Sequence, residues 1–346
     1  MGMLKYFKSS IWITVAGLLL VVGMIWYQTQ SMAQVMQALM TTVLLSILEI
    51  SLSFDNAVVN ATVMKTMSEV WKKRFLTWGM LIAVFGMRLL FPLGIVSVLG
   101  KIGPIEALMM SINEPIKYAE IMTSSHIYVA SFGGIFLFMV FVHFFFDQEK
   151  EVHWIHFVEK PMAQFGQFKG VELVLTLIVL ILFAGMFDNI EEKYAFLISG
   201  VFGIITFLFV HGISAFLESK DVVSDAQTVV ASAGVGTFLY LEVLDASFSF
   251  DGVVGAFALT NSLFLIMIGL GIGAFFVRSL TIYFVDKNTV DNFKYLEHGA
   301  FYALGSLAII MLFGSFVHIP EWITGLSGLT ILSVSVLHSL KADKKV

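Results

Sequence analysis

The stretch "EISLSFDNAVVNA", residues 49–61, places two acidic residues and two asparagines in a segment that is otherwise as apolar as a membrane helix. Its first eleven residues align without gaps to "DASFSFDGVVG" at 245–255, with Glu49 on Asp245 and Asp55 on Asp251. Two serines and a phenylalanine coincide as well. The two stretches indicate related copies of one membrane-embedded unit.

The composition is that of a polytopic membrane protein. Apolar residues make up 58% of the 346 residues and charged residues 13%, whereas soluble proteins usually carry about 25% charged residues. We therefore expect one all-α membrane domain over residues 1–346. The net charge of -5 is mild and lysine and arginine are scattered, which disfavours a nucleic-acid partner. Cysteine is absent, so any metal ligands must be oxygen or imidazole.

Apolar runs of the length that crosses a bilayer predict about ten transmembrane helices. The predicted spans are 11–27, 35–64, 75–99, 127–146, 173–190, 195–217, 229–260, 263–285, 299–317 and 322–340. The first is interpreted as an uncleaved anchor, with a signal peptide as the alternative. The second and seventh are too long for simple straight spans, and both contain an acidic motif.

Lysine and arginine are unevenly divided between the two sides of the predicted bundle. With ten spans, the side that holds both termini carries 15 basic residues and the other side carries three, Lys101, Lys117 and Lys193. Because cytoplasmic loops are enriched in basic residues, we expect a multi-pass protein of the cell (plasma or inner) membrane with both termini in the cytoplasm. Segment 147–172 is then a cytoplasmic juxtamembrane loop.

The two copies are predicted to have opposite orientations in the membrane. In each copy the next span holds a lone arginine, Arg88 in "GMRLL" and Arg278 in "FVRSL". Copy one, at 35–146, begins five crossings before copy two, at 229–317, and an odd number of crossings reverses the direction. Inverted three-helix repeats of this kind recur in secondary transporters, with a site near the bilayer midplane.

Buried acids are the strongest functional signal in the chain. Each acid at the centre of a span costs roughly 2.5 to 3.5 kcal/mol on insertion scales. Five lie in the two motif helices, and they are Glu49, Asp55, Glu242, Asp245 and Asp251. The arginines Arg88 and Arg278 lower their summed charge from -5 to -3, so the pattern predicts a cavity for a cation, with the arginines as counter-ions. The alternative is that acids, arginines and serines only fix the helix packing.

Glu49 and Asp55 are six residues apart, so a rotation of about 240° around the axis of an ideal helix separates their side chains. For both to reach one ion, either the backbone between them unwinds or two helices clasp the site. The serine-rich stretch "SLSFDN" and its counterpart "SFSFDG" are the places where a helix break is expected. Glu242 has no acidic counterpart in copy one, where Ser46 takes its place, so its role as a ligand and a purely structural role stay open.

Three other groups of polar residues have simpler explanations. His211 lies within a span, where it could serve as a proton relay, as a ligand or as a hydrogen-bonded packing histidine. Asp188 lies at the end of a span, which is best explained as a solvated helix end. Segment 147–160 contains His153 and His156, which with Glu149 have the chemistry of metal ligands. A juxtamembrane amphipathic helix with solvated charges is the favoured interpretation of that segment.

The motif "EISLSFDNAVV", followed by Arg88, resembles the signature of the TerC family of membrane proteins, which is named for tellurium resistance and grouped with the LysE exporter superfamily. "SFSFDGVVGAFALT" and the later "FKYLEHGAFYALGSLAIIMLF" are also similar to it. The resemblance implies a divalent-metal exporter, with manganese favoured and magnesium or calcium as alternatives. It implies a site made of Glu49, Asp55, Asn56, Asp245 and Asp251.

The leading hypothesis is thus a manganese exporter that works by alternating access, with the metal ion as substrate and the lipid bilayer as its surroundings. A second hypothesis is a membrane partner protein that senses or delivers metal for other envelope proteins without pumping. The protein partners expected for the chain are a second copy of itself, in a homodimer, or an envelope protein. An intramembrane enzyme is disfavoured, because the acids have counterparts in an inverted copy, which suits translocation better than catalysis from one side of the membrane.

Overall fold

A computed structural model describes residues 4–148, 150, 152–221, 226–317 and 319–343, with side chains for all of these except 214–221, 226–233, 250, 251, 290, 291, 321 and 343. The described chain consists of helices joined by short connections and contains no strand. The predicted all-α, polytopic bundle is therefore confirmed. Helices dominate because a chain in lipid must satisfy its backbone hydrogen bonds within each segment.

The elements follow one another with short connections. In chain order they are α1 (Leu4–Thr29), α2 (Met32–Leu52), α3 (Phe54–Met64), α4 (Glu69–Arg74), the π-helical segments π1 (Phe75–Gly79) and π2 (Ile82–Leu90), α5 (Phe91–Gly100), α6 (Pro104–Asn113), α7 (Pro115–Ser124), α8 (His126–Phe146), α9 (His156–Phe165), α10 (Val171–Ala184), α11 (Ile190–Asp221), α12 (Ala226–Ala256), α13 (Leu263–Asp286), α14 (Thr289–Asn292), α15 (Leu296–Gly314) and α16 (Glu321–Asp343).

Eight stretches in the described part of the chain are long and apolar enough to cross a membrane. They are Leu4–Thr29, Met32–Leu52, Glu69–Gly100, His126–Phe146, Ile190–Ile213, Leu263–Asp286, Leu296–Gly314 and Trp322–Ala342. The other two predicted spans correspond to α10, which is apolar but only 14 residues long, and to α12, which carries three acids and has several side chains outside the described residues.

The expected helix break occurs in copy one and not in copy two. α2 ends at Leu52, Ser53 leaves helical geometry with φ -102° and ψ 16°, and α3 begins at Phe54. The break is slight, because Ser53 N still donates to Glu49 O (2.9 Å) and Ala57 N to Ser53 O (3.2 Å). In copy two α12 passes through "SFSFDG" without interruption, so the expectation of a break there is wrong.

Contacts between helix ends define the two sides of the bundle. Ser339 Oγ in α16 accepts from Tyr295 N just before α15 (2.9 Å), and Tyr6 in α1 bonds Asp286 at the end of α13. We call this the terminal side, because it holds the start of α1 and the end of α16. On the opposite side Phe183, at the end of α10, contacts Phe313, at the end of α15, with ring centroids 4.9 Å apart.

Helix packing repeats between the two copies. α13 of copy two packs on α2 of copy one, and π2 of copy one packs on α12 of copy two. In the same way α8 packs on α12 and α15 packs on α3. The largest apolar core surrounds α8, α11 and α15, and a second core joins α5 and α7 to α12 and α13. This exchange of partners brings the two acidic motifs together at the centre.

Candidate functional site

A small cavity lies between the two copies, where the acidic motifs meet. Its volume is about 40 Å³, and one water needs roughly 10–15 Å³ of such space, so it has room for an ion or a few waters. The polar residues that line it are Glu49, Ser53, Asn56, Asn60, Arg88, Asp245, Ser249, Arg278 and Thr281. Copy one and copy two both contribute, so the site exists only when the two are packed together.

Glu49 is held by a cation of its own copy. Its Oε1 accepts a hydrogen bond from Arg88 Nη2 and another from Ser53 Oγ (3.0 Å). The side chains of Glu49 and Arg88 are only 3% and 4% exposed. A buried pair of this kind is costly to break, because either partner alone would leave an uncompensated charge in lipid. Arg88 thus acts as the predicted counter-ion.

Asp245 is held by neutral donors of the other copy. Its Oδ1 accepts from Asn56 Nδ2 and from Asn60 Nδ2, both at 2.9 Å. The two asparagines are four residues apart and so lie on one face of α3. Their own carbonyl oxygens, Asn56 Oδ1 and Asn60 Oδ1, are buried and have no hydrogen-bond partner in the described part of the structure. Asn60 was not predicted, although its spacing from Asn56 could have identified it.

Contacts at the edge of the cavity are reciprocal between the copies. Gly79 and Gly269 each lie nine residues before the arginine of their copy, and Ser46 aligns with Glu242. Ser46 Oγ donates to Gly269 O (2.9 Å), and Glu242 packs on Gly79 so closely that a Cβ there would lie 2.5 Å from its Oε1. The two pairs of aligned positions thus make contact in both directions between the copies.

Glu242 is buried beside the cavity and does not line it. It is 7% exposed, and neither carboxylate oxygen has a hydrogen-bond partner within the described residues. Its carboxylate contacts Gly79, which lines the cavity. The structure therefore places Glu242 next to the predicted site as an unpaired acid.

Arg278 lines the cavity without pairing to an acid in the described chain. Its Nε donates to Leu76 O of π1 at 2.7 Å, which joins copy two to copy one. π-Helical segments are uncommon and are found mostly at functional sites. Both π segments border the cavity, so local helix geometry and site coincide.

Two predicted ligands are not brought into the described cavity. Asp55 is buried, but its Oδ2 faces α16, where a Cβ at Gly328 would lie 3.0 Å away, and its Oδ1 accepts from Asn56 N (3.0 Å). The slight break at Ser53 does not turn Asp55 toward Glu49. The side chain of Asp251 lies outside the described residues.

His211 and Asp188 lie away from the cavity. His211 stacks on Phe207 with ring centroids 4.1 Å apart, and its ring meets that of His143 at 4.8 Å. His143 Nδ1 in turn lies 3.2 Å from Glu172 Oε2. Asp188 is exposed after the end of α10. These contacts match a packing histidine and a solvated helix end.

The juxtamembrane segment folds back onto the bundle on the terminal side. Glu159 in α9 is 1% exposed and accepts from Trp154 N and Ile155 N, both at 2.9 Å. His298 Nε2 in α15 lies 3.5 Å from Glu159 Oε2 and bonds Val152 O (2.8 Å). A short helix was predicted here, but the expectation that all its charges are solvated is wrong, because Glu159 is turned inward.

Lys150 in the same segment is also partly buried. Its Nζ lies over the ring of Phe144, and burial lowers the pKa of its ammonium group to about 7 despite the nearby carboxylates of Glu297, Asp147 and Glu159. Glu149, which the sequence suggested as a ligand beside His153 and His156, lies outside the described residues.

A cation in the central cavity would need neutral oxygen ligands besides its carboxylates. Among the described residues, no three histidine, aspartate or glutamate side chains are grouped so that they could hold a metal ion. The cavity itself offers two carboxylates, together with amide and hydroxyl oxygens. Such hard oxygens suit manganese, magnesium and calcium ions.

Comparison with known proteins gives one match. Residues 54–346 match the family described as "Protein of unknown function (DUF475)". The matched region contains all of copy two and every cavity-lining residue except Glu49 and Ser53. No curated protein and no solved structure matches the chain.

Proposed function

This chain belongs to the DUF475 family, and we propose that it is a secondary transporter that exports a divalent metal ion. The observation that carries the proposal is a cavity between the two copies, to which each copy contributes one carboxylate, Glu49 and Asp245. In transporters built from inverted repeats, the substrate site lies at the interface of the repeats, which rock against each other.

The oxygen groups around the cavity support a cation as the substrate. The carboxylates of Glu49 and Asp245 line it together with Arg88 and Arg278, and the carboxyl group of Glu242 lies beside it. In the described arrangement Arg88 donates to the carboxylate of Glu49. The side-chain amides of Asn56 and Asn60 donate to the carboxylate of Asp245. An entering cation would compete with these donors for the same oxygens, so binding and rearrangement of the site are coupled.

Manganese is the favoured ion, with magnesium and calcium as alternatives. The similarity of both motifs to the TerC family favours manganese, and the oxygen ligands suit all three ions. The excess of basic residues on the terminal side supports cytoplasmic termini and export across the cell membrane. The proposal assigns no enzymatic activity to the chain.

Transport into liposomes tests this function. The purified protein should carry Mn²⁺ into vesicles that contain a manganese-quenched dye, with saturation, and Mg²⁺ and Ca²⁺ should serve as competitors. Asp245→Asn should lower the apparent affinity for Mn²⁺ at least roughly tenfold, because mutation even of a residue that only supports a metal ligand lowers metal affinity by about that factor. Asp188→Asn, an exposed acid away from the cavity, is the matched control and should behave like the wild type.

Two outcomes would contradict the proposal. Stoichiometric Mn²⁺ binding without flux would favour the alternative of a metal-sensing or metal-delivery partner. Equal flux in Asp245→Asn and wild type would remove the cavity as the transport site.

A further inference from the structure

Two asparagine side chains in the central cavity have an unusual set of hydrogen bonds. Asn56 and Asn60 each donate their amide N–H to the same oxygen, Asp245 Oδ1, at 2.9 Å. Their amide oxygens are left without a partner, although the two residues are only 6% and 4% exposed. A buried carbonyl oxygen with nothing to accept from is unfavourable, so this arrangement leaves two acceptors unsatisfied inside the bundle.

The missing ligands of the proposed site are of the same chemical type. Divalent ions such as manganese, magnesium and calcium take roughly six or more oxygen ligands. Among the described residues, Glu49 and Asp245 supply the carboxylates of the cavity, and the hydroxyl oxygen of Ser249 is also buried there without a partner. Two neutral carbonyl oxygens at the same place would bring the ligand set close to that number.

An asparagine amide can serve both states of such a site. It carries two donors and one acceptor on one planar group, so a half-turn about its last side-chain bond exchanges N–H for oxygen without changing its shape. Aspartate lacks the donor, and leucine lacks both groups. Asparagine can therefore donate hydrogen bonds to a carboxylate when no cation is bound and present its oxygen to the ion when one is bound.

We propose that Asn56 and Asn60 form an amide switch, in which their N–H groups bind Asp245 in the empty site and their oxygens turn to the cation when it enters. This inference rests on the proposed transport of a divalent ion. It adds Asn60 to the ligands of the proposed site.

The switch belongs to one copy only. The positions that align with Asn56 and Asn60 in copy two are Gly252 and Ala256, which have no polar side chain. Glu49 faces Gly252, and its Oε2 would lie 3.4 Å from a Cβ placed there. Glu49 accepts a hydrogen bond from Arg88 and not from an amide. The two halves of the site thus release their acids to a cation by different routes.

Variants of Asn60 test the switch. Asn60→Leu removes both the donor and the oxygen and should weaken Mn²⁺ binding at least roughly tenfold, as measured by titration calorimetry. Asn60→Asp keeps an oxygen but loses the donor, so it should bind Mn²⁺ at least as tightly as the wild type while the metal-free protein unfolds at a lower temperature. The matched control is Thr62→Val on the same helix, because Thr62 is buried and bonds its own helix at Val58 O (3.0 Å).

A second measurement follows the amides directly. In protein labelled with ¹⁵N-asparagine, the side-chain NH₂ resonances that disappear in Asn60→Leu and in Asn56→Leu should shift when Mg²⁺, a diamagnetic probe, is added. Unshifted resonances in protein that binds the ion would overturn the switch.

The outcomes separate the switch from the transport function. If the wild type transports Mn²⁺ and Asn60→Leu binds it as tightly as Thr62→Val does, the switch is wrong and the transporter stands. If the wild type neither binds nor transports a divalent ion, both proposals are wrong.

Discussion

The two copies hold corresponding acids by different means. Glu49 of copy one is paired with the arginine of its own copy, Arg88, whereas Asp245 of copy two is bound by two amides of the other copy. Arg278, the counterpart of Arg88, donates instead to the backbone oxygen of Leu76 in copy one. The difference shows that copy one contains both members of its ion pair, whereas the acid of copy two depends on hydrogen bonds from copy one.

Replacing each arginine in turn tests this difference between the copies and should have the largest effect on stability. Arg88→Ala leaves Glu49 charged and buried, so we expect a loss of about 3–5 kcal/mol in the free energy of unfolding. Arg278→Ala removes a charged donor from a backbone oxygen in a half-buried place, which should cost about 1.5–3 kcal/mol. Denaturant unfolding in detergent measures both values.

A double variant controls for lost packing. Glu49→Gln with Arg88→Met removes both charges and keeps most of the volume, so it should recover much of the stability while the cation affinity stays low. Equal losses for Arg88→Ala and Arg278→Ala would mean that the ion pair in copy one has no special role.

The two reciprocal glycines should respond unequally to an added methyl group. At Gly269 a Cβ would lie 2.6 Å from Leu45 Cβ and 3.0 Å from the backbone oxygen of Thr42, and neither atom can move freely. At Gly79 the nearest atom is the end of the Glu242 side chain, at 2.5 Å. We expect Gly269→Ala to cost about 1–3 kcal/mol through overpacking and Gly79→Ala to cost less.

A second substitution tests the cause of that difference. Glu242→Ser introduces the residue found at the aligned position in copy one, Ser46, and should make Gly79→Ala nearly neutral. Thermal unfolding of the two single variants and the double variant gives the coupling between positions 79 and 242. An equal cost of Gly79→Ala in both backgrounds would show that the carboxylate does not limit the space.

Much of this architecture is present in the sequence because lipid leaves few alternatives. Apolar run lengths predicted the helices, and the length and serine content of the first motif segment predicted its break near Ser53. The lone arginines were correctly placed inside spans, and Arg88 does pair with an acid. In each case the cost of burying a polar group in lipid restricts the arrangement.

The details of the site depend on helix rotation, which a single sequence does not fix. A break that keeps its backbone hydrogen bonds turns the chain too little, so Asp55 faces α16 and Glu49 faces the cavity. Asn60 was overlooked because its partner, Asp245, is 185 residues away along the chain. Glu159 was expected in solvent because its partners are backbone groups and a histidine of a distant helix, which charge patterns do not reveal.

A third buried charge, that of Lys150, lies outside both copies, and we expect its replacement to have the smallest effect on stability. Lys150 lies over Phe144, and burial lowers the pKa of its ammonium group from 10.5 to about 7. Between about pH 7 and pH 10.5 the unfolded chain binds a proton that the folded protein does not, so stability should rise with pH in this window. Below pH 7 the folded protein carries the full cost of the buried charge.

Lys150→Met should therefore be more stable than the wild type at pH 6, and the difference should shrink by pH 9. Unfolding in detergent at the two pH values measures it. The double variant Glu49→Gln with Arg88→Met is the contrasting variant, because it leaves neither ionisable member of that pair, so its difference in stability from the wild type should be the same at both pH values. If Lys150→Met gains nothing at pH 6, the attraction between the ammonium group and the Phe144 ring balances the cost of its burial.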